Sequence, residues 1–260
     1  MNAFRQVAAP QDGVAWVTGA SSGVGRALAL QLAAAGWTVF ATARRTDRLE
    51  RIALEAADPG RIVPAPGDVT DAVQMRDIVE RICENHSLSL AILKANMELP
   101  MPARQFSAKA VADVIDVNVL GVTNALDPVL KRMAEQGFGH AAIMSSAAGF
   151  RGLPGQGAYC ASKAALSVLA ESLAMEMADV GVRVSVINHG FIAPDKPVLG
   201  LPSGPFQMSA DQAASRIMRS LGKSGFEITF PWGLTRSLRL LGMLPNQVYF
   251  KVIRRLMNDG

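Results

Sequence analysis

Thr18-Gly19-Ala20-Ser21-Ser22-Gly23-Val24-Gly25 decides the fold class of this chain. The octapeptide follows an apolar run, Val14 to Thr18, that reads as a buried strand, and it opens a stretch of helical period from Val24 to Ala35. Ala27, Leu28, Leu32 and Ala35 share one face of that helix, and Gly36 ends it. Glycines at such a strand-to-helix turn let the backbone fold sharply and approach a pyrophosphate, whose charge sits on the N–H groups of the helix start. Gly19, Ser21, Ser22, Gly23, Val24 and Gly25 are therefore candidate nucleotide-binding residues. Glycine turns also serve plain packing, so the position between strand and helix is what carries the reading.

Further along, short β-rich runs alternate with longer helical segments, which predicts βαβ units and a parallel sheet. Strands are expected at Trp37 to Ala41, Arg61 to Val63, Leu88 to Leu93, His140 to Ser145, Val182 to Ile187 and Phe226 to Phe230. Helices are expected at Asp47 to Ala57, Asp71 to Glu84, Lys109 to Gln136 with an interruption near Pro128, through Tyr159, and at Ala210 to Leu221. Two more helical pieces surround Leu238 and Val252. The expected fold is one α/β domain over residues 1–260, a Rossmann-type doubly wound parallel sheet of about seven strands with helices on both faces. Pro194, Pro197, Gly200, Pro202, Gly204 and Pro205 mark a substrate lid over about 193–215, and an apolar, basic tail covers about 233–260.

Composition narrows the function classes. Half of the 260 residues are hydrophobic and the mean hydropathy is +0.21, which excludes a disordered or collagen-like chain. A net charge of +4, with no long Lys/Arg block, suits anionic small molecules or a membrane surface and does not call for nucleic acid. Cys83 and Cys160 lie far apart with no metal-ligand spacing, so they read as reduced packed thiols and no metal site is assigned. Met1 to Asp12 carries one Arg and no apolar h-region, so a cytoplasmic protein is expected, with peripheral membrane contact left open.

The end of the second strand discriminates between nucleotides. A carboxylate there would bind the adenosine ribose, whereas Ala41-Thr42-Ala43-Arg44-Arg45 offers guanidinium groups that suit a 2′-phosphate, with no acidic residue between Trp37 and Thr46. NADP(H) is thus preferred over NAD(H). Asp68-Val69 is placed to contact the adenine, or Asp68 caps the helix starting near Asp71. Tyr159 and Lys163, four apart, share a helix face, and an ammonium beside a phenol lowers a pKa that starts near about 10. Ser146 at a strand end and Asn118 in the preceding helical region are expected to converge with them where open α/β sheets bind ligands.

Thr18 to Gly25, Asp68-Val69, Asn118 within Asp116-Val117-Asn118, Ser145-Ser146 and Tyr159-Cys160-Ala161-Ser162-Lys163 together resemble a short-chain dehydrogenase/reductase of the single-domain kind, over about Val14 to Val186. The resemblance implies hydride transfer between nicotinamide C4 and a carbonyl or carbinol carbon. It makes Tyr159 the proton donor or acceptor, has Ser146 hold the substrate oxygen, has Lys163 bind the nicotinamide ribose and lower the Tyr159 pKa, and has Asn118 hold a water in the proton relay. Asn96, Gly190 and Ile192 join the expected cofactor contacts, and a homodimer or homotetramer pairing through the long helices is implied.

Two segments depart from the family pattern. Lys94-Ala95-Asn96-Met97, followed by Glu98, stands where Asn-Asn-Ala-Gly is usual, putting Met97 where glycine gives the cofactor room. His189-Gly190-Phe191-Ile192-Ala193-Pro194 keeps Gly190 but has Pro194 in place of a cofactor-binding hydroxyl. These departures motivate a second reading, a catalytically weak or inactive binding or regulatory protein on the same scaffold. His189 itself reads as a substituted loop position rather than a base. The Pro-rich lid favours an apolar substrate, and the basic tail can lie on a membrane, cover the core or substrate mouth, or meet a subunit.

Overall fold

A computed structural model describes residues 7–56, 61–193 and 207–258. Seven strands form one parallel sheet in the order β3-β2-β1-β4-β5-β6-β7: β1 Val14–Thr18, β2 Val39–Thr42, β3 Ile62–Pro64, β4 Leu88–Leu93, β5 Gly139–Ser146, β6 Val182–His189 and β7 Glu227–Phe230. The helices are α1 Gly23–Ala34, α2 Thr46–Glu55, α3 Ala72–Asn85, α4 Ala108–Ile115, α5 Gly121–Gln136, α6 Gly157–Met177, α7 Ala210–Leu221, α8 Trp232–Gly242 and α9 Asn246–Asn258.

Every residue of β1 and β4 is buried, as expected of strands covered on both faces. Leu28, Leu32, Ala213 and Ile217 of α1 and α7 fill one apolar layer, together with Leu49 and Ile52 of α2. Met75, Ile78, Val129 and Leu166 of α3, α5 and α6 fill the other. The expected spacing on α3 holds, since Met75, Ile78, Val79 and Ile82 are all buried. β3 sits at the sheet edge, where its Pro64 costs no interior ladder bond.

Two local expectations need correction. The helical region from Lys109 to Gln136 is not interrupted near Pro128, which lies buried inside an unbroken α5. The break is a π-type turn, Asp116–Leu120, whose wider backbone turns the fully buried Asn118 inward. Asp68 does not cap α3. Asp71 does, accepting the Val73 and Gln74 N–H groups at 3.0 Å, while Asp68 closes its own turn through the Thr70 N–H and hydroxyl. Most of the lid, including Pro194, lies outside the described residues; Ile192 and Met208 flank it in a parallel bridge.

Candidate active site

The strand order reverses between β1 and β4, so their C-terminal ends splay into a crevice. Thr18 closes its floor: the hydroxyl donates to the Lys94 carbonyl at 3.0 Å and accepts the Lys94 N–H at 2.8 Å. Gly19 takes φ +63, and a Cβ there would lie 2.6 Å from the Lys94 oxygen. A Cβ on Gly25 would lie 2.2 Å from the Gly19 oxygen, so glycine is required at both positions for the turn to close onto α1. Ser22 caps α1 by position, and its side chain makes no cap bond.

A cavity of about 430 Å³ opens at this end of the sheet. Gly23 and Val24 at the start of α1, Asn96 after β4, Ser146 at the end of β5, Tyr159 and Lys163 of α6, and Gly190 and Ile192 after β6 all line it. The sequence thus places eight of its expected site residues on one wall system. Gly19, Ser21, Ser22, Gly25, Arg44, Arg45, Asp68 and Val69 lie outside this cavity. The Arg45 guanidinium donates to the Ser21 hydroxyl at 3.2 Å, joining the end of β2 to the glycine turn, while Arg44 is exposed. The Val69 carbonyl accepts from Asn124 at 3.0 Å.

Asn118 does not reach the cavity. Its amide accepts the Met97 N–H at 2.6 Å and donates to the Met97 carbonyl at 2.9 Å and to the Ser162 hydroxyl at 3.0 Å. The hydroxyl of Ser162 in turn donates to the Tyr159 carbonyl at 2.7 Å. The Met97 backbone is held by Asn118, and Met97 is not among the residues that line this cavity. Lys94, Asn96 and Glu98 line it instead.

The electrostatics of the tyrosine and lysine also differ from expectation. Burial pushes the Tyr159 phenol up to about 12; a Ser146 hydrogen bond pulls it down and the Glu98 carboxylate adds to the rise. Lys163 cannot offset this, because its own ammonium is disfavoured. Burial, then repulsion from Lys94, brings it down to about 7, with Glu98 opposing. Its Nζ lies 5.5 Å from the centre of the Tyr159 ring and donates to the carbonyls of Ala95 at 3.3 Å and Met144 at 3.5 Å. The pair shares a helix face as predicted, but both groups are buried, and burial disfavours the charged form of each.

Ser146 donates to the His189 carbonyl at 3.3 Å and accepts the Ala148 N–H at 3.2 Å. His189 lines the cavity with a neutral ring: burial brings it down to about 4, and Nδ1–H donates to the Gly190 carbonyl at 2.8 Å. Residues outside the motifs form the remaining walls. Glu98 accepts from Gln156 at 3.0 Å, three residues before Tyr159, and the Gln156 Oε1 is enclosed with no hydrogen-bond partner. Leu238, Leu241 and Tyr249 of α8 and α9 close the cavity on the far side. Arg151 fixes them, donating to the carbonyls of Gly242 and Leu244 and to the Asn246 side chain, with its guanidinium 4.5 Å above the Tyr249 ring. Only the apolar period of the tail hinted at this, and it left the partner open.

Residues 13–196 match the short chain dehydrogenase family. The chain belongs to that family. The chain is 38% identical over 244 residues to an uncharacterized oxidoreductase of Myxococcus xanthus, covering 93% of this chain and 96% of that one. It is 36% identical over 199 residues to human 17-beta-hydroxysteroid dehydrogenase type 1, covering 73% of this chain and 60% of the human one. Among solved structures, an alcohol dehydrogenase from the archaeon Thermococcus sibiricus, complexed with 5-hydroxy-NADP, superposes with TM-score 0.75 at 26% identity, covering 84% of this chain and 95% of that one. The protein is thus an oxidoreductase by family. Among the described residues, no helix is long and apolar enough to cross a membrane.

Proposed function

We propose that the protein is an NADP(H)-dependent carbonyl reductase, or the reverse alcohol dehydrogenase, acting on an apolar substrate. The observation that carries the reading is that Ser146, Tyr159, Lys163 and the start of α1 line a single cavity. The residues fit a nicotinamide dinucleotide. Its pyrophosphate would lie against the α1 start and the glycine turn, Tyr159 and Lys163 would hold the nicotinamide ribose, and Asn96, Gly190 and Ile192 would line the nicotinamide end. The bound dinucleotide supplies or accepts the hydride. Arg45 and Arg44 would hold the 2′-phosphate, with Ser21 beside Arg45. Asp68 and Val69 would flank the adenine. The archaeal relative was solved with an NADP analogue, which supports a nicotinamide dinucleotide here; the preference for the 2′-phosphate rests on Arg44 and Arg45.

The chain's own part is proton management. The Ser146 hydroxyl would hold the substrate oxygen while the Tyr159 phenol gives it a proton, so the carbonyl becomes a hydroxyl and Tyr159 a phenolate. With Tyr159 pushed up to about 12, the phenol keeps its proton at neutral pH and is available as the proton donor when a carbonyl is reduced. Asn118 serves by pinning the Met97 segment and, through Ser162, the Tyr159 backbone. Apolar walls from Leu153, Leu238, Leu241 and Phe191 suit a lipid-like or steroid-like ketone, in keeping with the named activity of the human relative. Exposed Val168 and Met175, seven apart on α6, and Leu120 beside α5 suit pairing into a homodimer or homotetramer.

The test is turnover of apolar ketones with NADPH in the protein and in Tyr159→Phe, beside a nucleotide-binding titration. Loss of turnover with binding retained supports the assignment; full turnover in the variant overturns it. A titration in which neither nucleotide binds would favour the regulatory reading instead.

A further inference from the structure

Helices α8 and α9 carry exposed apolar side chains besides their buried faces. Their inner faces close the cavity through Leu238, Leu241 and Tyr249, so the demand for a buried face is already met. The outer side of α8 and the residue after it nevertheless expose Trp232, Leu240 and Met243, and α9 exposes Val248 and Phe250 on the two flanks of its outer face, each 46–77% accessible. At 100° per residue, Trp232, Arg236, Arg239, Leu240 and Met243 fall on one stripe of α8, and they line one shallow groove. On α9, Lys251, Arg254 and Arg255 lie opposite the buried Tyr249 and Ile253, with Phe250 on the flank beside Arg254.

Charge identifies what this surface meets. Between Trp232 and Asn258 the chain carries five basic residues and no acidic one. Arg236 stacks 4.9 Å over the Trp232 ring and Arg239 4.6 Å over Phe150, while Arg239 also pairs with Glu227. Basic groups set among exposed aromatic and aliphatic side chains are the composition of a helix that lies in a lipid interface, with cations at the headgroups and apolar side chains at the acyl boundary. A second copy of the chain would have to bring carboxylates to match, and α8 and α9 offer none of their own among the described residues.

We propose that α8 and α9 dock the protein onto an anionic lipid surface, with the mouth of the substrate cavity held at that surface. Because one face of each helix lines the cavity and the other meets the lipid, an apolar carbonyl compound dissolved in the bilayer reaches Tyr159 past Leu238 and Leu241. Arg151 is the positioning residue, since it ties the loop after Ser146 to the α8–α9 turn through Gly242, Leu244 and Asn246. The delivery of substrate rests on the reductase reading; the docking does not.

Tryptophan fluorescence tests it without turnover. Trp16 and Trp37 are buried, at 0% and 4% accessible, whereas Trp232 is 65% accessible, so a blue shift on adding lipid reports Trp232. The full chain is titrated with phosphatidylcholine vesicles and with vesicles containing about a third phosphatidylglycerol, with cosedimentation as the second readout. Expected are a blue shift and cosedimentation with the anionic vesicles alone, weakened by salt. The double variant Lys251→Glu/Arg254→Glu should bind at least about tenfold more weakly, and Met243→Ser/Phe250→Ser should lose the spectral shift. These side chains are exposed, so a native melting temperature is expected in both variants. No cosedimentation with anionic vesicles overturns the proposal, as does binding unchanged by the charge reversals. A blue shift that follows protein concentration without lipid assigns the face to a second copy and also overturns it. Vesicle binding without ketone turnover would uphold the docking and count against the reductase reading alone.

Discussion

Asn118 grips Met97 from both sides of one residue, accepting its N–H at 2.6 Å and donating to its carbonyl at 2.9 Å. A β-bridge partner would do the same for an extended residue, so the side-chain amide acts as a one-residue strand that continues the order of β4 beyond its end. The π-type turn is what brings the amide into reach. Asn118→Ala leaves the half-buried Met97 N–H and carbonyl without this partner and removes the link to the buried Ser162, a loss of about 2–4 kcal/mol. Urea unfolding measures it. An unchanged midpoint would mean that the segment carrying Lys94, Asn96 and Glu98 is fixed by other contacts.

The guanidinium that reaches the glycine turn is that of Arg45, through Ser21. Arg45→Glu is therefore expected to weaken NADPH by about 10–100-fold, the worth of one or two charge-assisted hydrogen bonds, and to leave NADH nearly unaffected. Arg44→Glu should weaken NADPH as well. Titration of both reduced nucleotides against each variant decides the division; unchanged preference in both would remove the 2′-phosphate assignment.

Much of this arrangement is written in local sequence, and the reasons for the remainder are physical. β4 and α7 fall where the apolar runs end, Leu88–Leu93 and Ala210–Leu221, because buried strands and amphipathic helices have sharp compositional edges. The pairing of Ser146 with Tyr159 and Lys163 was legible because strand ends and helix starts of a parallel sheet share one side. The π-type turn was not, since Pro128 is the louder local signal, and nothing in Asp116 to Leu120 announces that Asn118 will bond 21 residues back to Met97. The sign of the Tyr159 shift was also hidden. Spacing shows that an ammonium is near, but not that both groups are buried, and burial outweighs the pair interaction.

Lys163 is held at a cost to stability. Its folded value of about 7 lies below the ordinary 10.5, so the unfolded chain binds more protons between those limits; stability is full above pH 10.5 and falls as pH drops toward 7. A fall of that size corresponds to about 5 kcal/mol as an upper figure. Lys163→Met keeps the buried stem and removes the charge. It is expected to abolish turnover yet raise stability at pH 7 by about 2–5 kcal/mol, with the advantage shrinking by pH 10. Denaturant midpoints at the two pH values check this, and a variant less stable than the parent at pH 7 would contradict it.

His140 sets the acid limit from the other end of the sheet. Burial, then repulsion from Arg183, holds it neutral, down to about 3, with Nε2 2.7 Å from the Ser185 hydroxyl. The folded value lies below the ordinary 6.5, so an unfolded chain takes up a proton that the folded one refuses. The stability is therefore full above pH 6.5 and is lost as pH falls toward 3. Between pH 7 and pH 5 this residue alone accounts for about 2 kcal/mol, and His189, held down to about 4 by burial, adds a similar slope. His140→Leu alters absolute stability by breaking the bond to Ser185, so its midpoint at one pH decides nothing. The difference between its midpoints at pH 7 and pH 5 does: it should be smaller than the parent's by about 2 kcal/mol, and an equal difference would show that His140 is charged in the folded protein.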